Sequence, residues 1–150
     1  MRIFVSGFAA VGQKLYLCGG VSRSNTVFVS NVQSFDVETL KWEEEMPLSV
    51  PLHSCAAAGV GGVLYVSGGC EMQHGNATSR MHALTAGKLS RQVAISDYPP
   101  LLCLLERYLT DGDGWKEMAA MRLNRRDHAM VACDSTHLIV CGGMSNNLPR

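Results

Sequence analysis

The 150-residue sequence contains no run of eighteen or more apolar residues, so no segment is long and apolar enough to cross a bilayer as a helix. It has no net charge, with 13 Lys and Arg against 13 Asp and Glu. No broad basic field therefore gathers nucleic acid or an anionic membrane. There is no Cys-x-x-Cys pair among the six cysteines, Cys18, Cys55, Cys70, Cys103, Cys133 and Cys141. Disulfide frameworks belong to secreted chains shorter than this one, so these are read as reduced thiols of a cytoplasmic protein. Charged residues are only 17% and apolar residues 47%, which excludes global disorder and requires a buried core.

Catalytic patterns are equally scarce. Asp127, His128 and Ser135 are neighbours in sequence, but a triad needs side chains that converge in space. Cys70, His74 and His82 match no tight zinc spacing and lack a fourth ligand. The expectation is a protein that is not an enzyme and needs neither cofactor nor metal.

What is present is a repeat. Gly-Gly doublets stand at Gly19-Gly20, Gly68-Gly69 and Gly142-Gly143, each closing an apolar run at residues 14–18, 63–67 and 137–141. The first two doublets lie 49 residues apart, and the offset extends backwards: Ala9 falls on Ala58, Gly12 on Gly61 and Tyr16 on Tyr65. The start of the chain, a basic residue and then a short apolar run, has the look of a leader peptide. Residues 6–11 nevertheless match an internal segment, and are read as a strand. In the third copy, the reading aligns His128 with His53 and makes the turn one residue shorter. Forward of the doublets, Phe35 stands seven residues before Trp42, and Tyr108 seven before Trp115.

Each unit thus reads as four short strands. First-type strands are expected at 4–11, 53–60 and 128–133, and second-type strands are the three Gly-Gly runs. Third-type strands are expected at 31–35 and 102–108, and fourth-type strands around Trp42 and Trp115. Gly12-Gln13 and Gly61-Gly62 suit hairpin turns. The near-continuous apolar second-type strands suggest sheets covered on both faces. Tyr16, Tyr65, Trp42 and Trp115 are expected between sheets, and Trp42→Ala is accordingly expected to be a folding defect.

A Gly-Gly doublet, then an aromatic residue, then Trp, with a period near fifty, resembles the kelch repeat. The resemblance implies an all-β fold, a partial kelch β-propeller with two four-stranded blades, a half blade and a loop insertion. The units are read as residues 1–49, 50–124 and an incomplete 125–150, with the insertion at about 77–100. Two and a half blades do not close a ring of four to eight. The chain is therefore expected to be a fragment or short isoform, marginal in stability or assembling with other copies.

Loops after second-type strands and loops leading into first-type strands share one end of a blade. Arg23, Asn25, Arg125 and Arg126 lie there and are the candidate contact residues for a protein target, since arginine forks pair well with carboxylate or phosphate. The chain is most similar to the propeller of kelch-like adaptors with BTB and BACK domains. That resemblance implies substrate recognition for a cullin-3 ubiquitin ligase, with cullin-3 reached only through a BTB domain that these 150 residues do not contain. An actin-binding scaffold is the alternative the kelch resemblance leaves open, and a metal-dependent propeller enzyme the remoter one.

Overall fold

The computed structural model describes residues 3–4, 6–22, 27–71, 76–85, 94–97, 101–103, 114–118 and 120–145. These residues are all-β. In chain order the strands are β1 (Ile3–Phe4), β2 (Gly7–Val11), β3 (Lys14–Cys18), β4 (Val21–Ser22), β5 (Val32–Asp36) and β6 (Lys41–Glu45). They continue with β7 (Ala56–Val60), β8 (Val63–Ser67), β9 (Met81–Thr85), β10 (Ala94–Asp97), β11 (Leu101–Cys103) and β12 (Trp115–Met118). The last are β13 (Ala129–Ala132) and β14 (His137–Cys141). They form three four-stranded sheets, ordered β2-β3-β5-β6, β12-β9-β8-β7 and β11-β10-β14-β13, beside a small β1-β4 ribbon. This is the architecture of a partial propeller.

Local chemistry sets the hairpins. Val60 and Val63 pair across Gly61 and Gly62, both at positive φ (57° and 78°), which matches the twist of the flanking strands. Between β5 and β6, the Asp36 carboxylate accepts hydrogen bonds from the Glu38 and Thr39 amides, each at 2.9 Å. Those amides hold the Asp36 carboxyl below its ordinary pKa.

The second unit departs from the expected strand assignment. Its third strand is Met81–Thr85, not 102–108. β9 pairs with β8 from Ser67↔Met81 to Val63↔Thr85, and β12 pairs with β9, Trp115 opposite Leu84. The first sheet has the same register, from Cys18↔Val32 to Lys14↔Asp36, with Phe35 opposite Trp42. The 49-residue offset therefore continues through Val32 and Met81. The added residues fall between the third and fourth strands, at 86–114, and not at 77–100. Tyr108 lies outside the described residues.

Part of that addition has a partner. β10 runs parallel to β14, from Ala94↔His137 to Asp97↔Val140, and β11 pairs antiparallel with β10. They occupy the edge of β14 at which a third strand pairs in the other two sheets. The third unit also shifts in register. Ala129↔Cys141 and Ala132↔Leu138 correspond to Ala56↔Ser67 and Gly59↔Leu64. Its turn is thus one residue longer than that of the second unit, not shorter, and His128 takes the place of Cys55 instead of His53. Asp134 holds the longer turn: its carboxylate accepts from the Thr136 amide (2.6 Å) and the His137 amide (2.8 Å), which lowers its pKa to about 2.

The core is two layers, one on each face of the middle sheet. Alternation along β7 and β8 divides the side chains between them. Ala57, Leu64 and Val66 pack with Ala9, Tyr16, Cys18 and Val32 of the first sheet. Ala56, Ala58, Val63 and Tyr65 pack with Met130, Leu138 and Val140 of the third. All five residues of β8 are buried, whereas β3 and β14 are buried on one face only. The double burial expected of every second-type strand holds in the middle sheet alone.

Trp42 is the largest correction. It is 57% exposed, stacked only at a tilt on Phe35 with ring centroids 5.2 Å apart. Trp115, its counterpart, is half-buried against the first layer and donates its indole N–H to the Met46 carbonyl at 2.7 Å. The difference is that Trp115 has the first sheet beside it, while among the described residues no sheet covers the outer face of the first. Tyr16 and Tyr65 are buried. The five described cysteines outside the strand β11 are free; Cys18, Cys55 and Cys70 are buried, Cys133 and Cys141 exposed.

Candidate functional site

The connecting segments of all three units meet at one end of the sheets, and backbone hydrogen bonds join them. Gly20 N–H donates to the Leu52 carbonyl (2.6 Å) and, one unit later, Gly69 N–H donates to the Arg125 carbonyl (2.7 Å). Leu48 N–H donates to Ser30 and Met121 N–H to Ser79, both at 2.8 Å. His53 and Cys70 form a bridge, as do Arg126 and Met144. Segments distant in sequence are thus locked edge to edge, which is the rigid support a binding surface on loops needs.

The expected contact residues divide. Arg125 is spent inside the structure: its guanidinium donates to the Gly142 carbonyl at 2.7 Å, and its backbone N–H donates to Thr78. Arg126 sits 3.8 Å from the Asp127 carboxylate, with both side chains more than a third exposed, so solvent weakens that pair. Arg23 and Asn25 lie outside the described residues. Three charged residues outside the expected contact set are linked to one another. Arg80 pairs with Glu71 and with Glu117, each at 3.4 Å. The acidic run in β6 is partly neutralised: Lys14 binds Glu43 (2.6 Å) and Glu45 (3.1 Å), which raises the Lys14 pKa.

One pair, a buried serine and a half-buried histidine, has the separation of a nucleophile and its base, Ser67 Oγ and His128 Nε2 at 2.9 Å. Ser67 has no exposed surface, and its hydroxyl also contacts the Met130 sulfur at 3.4 Å. The pair ties the second sheet to the third. Among the described residues no group of three or more His, Cys, Asp or Glu side chains is placed to hold a metal ion. Nor does any described helix have the length and apolarity to cross a membrane.

His82 is buried in the middle sheet, edge-on to Trp115 at 6.5 Å, and its Nε2 makes no hydrogen bond. Desolvation lowers its pKa, outweighing the opposing pull of Glu117, while Arg80 lowers it further. A histidine whose folded pKa is depressed stabilises the fold above its ordinary value near 6.5, and that stability is lost as pH falls. We therefore expect the melting temperature of the native chain to drop between pH 7 and pH 5 more steeply than that of a His82→Leu variant. Equal slopes would show that His82 does not govern acid sensitivity.

Comparison with known proteins bears on what this assembly is. A sequence model of the Kelch motif matches residues 6–49, most of the first unit. The first unit thus matches the Kelch motif. Alpha-scruin of Limulus polyphemus is 35% identical over 80 residues, covering 49% of this chain and 9% of that protein. An F-box/kelch-repeat protein of Arabidopsis thaliana is 36% identical over 78 residues, covering 52% of this chain and 18% of that protein. The chain thus spans less than a fifth of either curated relative. Among solved structures, YjhT superimposes with a TM-score of 0.70 at 14% identity, over 97% of this chain and 40% of that one, a likeness of fold alone.

Proposed function

We propose that this chain is a protein-binding module whose loop end takes acidic segments of a partner, without catalysis of its own. What supports the reading is the backbone lattice joining the connecting segments, and the exposure of two arginines in the segment that enters the third unit, Arg122 exposed and the Arg126 side chain 37% exposed. Arginine at such a place offers paired donors to carboxylate or phosphate. Arg125 is left out of the contact set because its fork is engaged by Gly142. On the adaptor resemblance, the bound segment belongs to a substrate of a cullin-3 ubiquitin ligase, and the free thiols fit a cytoplasmic setting.

The test is fluorescence anisotropy with labelled poly-glutamate and poly-lysine peptides. We expect the glutamate peptide alone to bind, more weakly as salt rises. The double variant Arg122→Glu/Arg126→Glu should lose about tenfold in affinity or more. Binding indifferent to peptide charge, or unchanged in the double variant, would refute the acidic-segment reading. Co-sedimentation with filamentous actin at undiminished affinity in that variant would favour the cytoskeletal scaffold instead.

A further inference from the structure

The three units allow the same positions to be compared three times. Phe8, Ala57 and Met130 are equivalent, as are Leu15, Leu64 and Leu138, and Leu17, Val66 and Val140. In the second and third units these residues are buried, from Leu138 and Val140 at 0% to Met130 at 9%, each set lying under the sheet that precedes it. In the first unit the same face is open. Phe8 is 58% exposed and Trp42 57%, with Leu15 and Leu17 half-buried.

The opposite faces show the reverse order. Ala9, Ala58 and Val131 are equivalent, as are Tyr16, Tyr65 and Ile139, and Cys18, Ser67 and Cys141. The first two of each set are buried under the sheet that follows. The third members are open: Val131 is 53% exposed, Cys141 is exposed and Ile139 half-buried. β10 and β11 do not cover this face, because they extend the third sheet at its edge.

One chain therefore carries both halves of an interface that it already uses twice internally. We propose that a second copy of this chain docks head to tail, the Phe8–Leu15–Leu17 face of each on the Val131–Ile139–Cys141 face of the other. Each copy supplies three four-stranded sheets, and two copies supply six, within the four to eight that close a propeller. Closure leaves neither apolar face in water, whereas a head-to-tail contact that did not close would go on adding copies. The occupant is another blade-like sheet because sheets of this shape fill the same positions at both internal interfaces. This proposal concerns the sheet faces and is independent of what the loop end binds.

The experiment is sedimentation equilibrium of the full chain over a wide concentration range, with Phe8→Glu and Val131→Glu. Both side chains are more than half exposed in the single chain, so far-UV circular dichroism should show an unchanged fold. The native chain is expected at twice the 16.2 kDa monomer mass, and each variant alone as a monomer. An equimolar mixture of the two variants keeps one intact face from each, so a one-to-one dimer should return. A native chain that stays monomeric, or grows without limit, overturns the proposal. So does a Val131→Glu variant that still dimerises, since that result means the Phe8 faces pair with each other.

Discussion

Gly19→Ala and Gly68→Ala are expected to cost about 3–5 kcal/mol each, while Gly142→Ala costs about 1–2 kcal/mol. All three glycines open a Gly-Gly doublet and have nearly the same backbone, at φ 63°, 58° and 72°. A left-handed conformation alone therefore does not separate them. Their surroundings do. A Cβ on Gly19 would collide with the Leu52 carbonyl, and one on Gly68 with the Arg125 carbonyl and the His128 ring. Those carbonyls are the acceptors for Gly20 and Gly69, so the collision also breaks the backbone bond between successive units. A Cβ on Gly142 meets nothing within 4 Å. Urea unfolding of the three variants checks the ranking, and equal losses would mean that only the backbone angle matters.

Tyr65→Ala is expected to lose about 3–5 kcal/mol, because a buried aromatic side chain leaves a cavity when truncated. Tyr65 has no exposed surface and lies in the layer between the second and third sheets. Trp42→Ala, which the repeat pattern marks as the more damaging change, is expected to cost about 1 kcal/mol in a dilute, single chain. It gives up one tilted ring contact with Phe35 and little burial. The same urea titration measures both. A Trp42→Ala loss as large as that of Tyr65→Ala would show that Trp42 is covered in solution.

The repeat was legible wherever each position has the same neighbours in every unit. The Gly-Gly runs became β3, β8 and β14, and the 49-residue offset matches the pairing of β2 with β3 and of β7 with β8. Burial was less legible, because it depends on what lies across the sheet. Trp42 and Trp115 are identical in sequence pattern, and only Trp115 has a neighbour to receive its N–H. The strand at 81–85 was missed for a different reason. It carries Leu84 where the first unit carries Phe35, and the aromatic signal at Tyr108 lies at the tempting distance from Trp115. Continuing the 49-residue count would have found it. In the site, Arg125 and Arg126 are adjacent and look alike in sequence; what separates them is the closeness of Gly142 to Arg125, seventeen residues on, which no local pattern encodes.

The parallel pairing of β10 with β14 separates two things that repeat proteins usually keep together. Residues that lie within the second unit in sequence belong to the third sheet by hydrogen bonding. A genetic deletion of residues 125–145 would strip β10 and β11 of their partner, and deletion of 86–114 would bare the edge of β14. The segment that can be copied or lost in a gene is therefore not the segment that stands or falls as a structure. In this chain an insertion, once fixed, becomes a splint that neighbouring repeats can no longer shed one at a time.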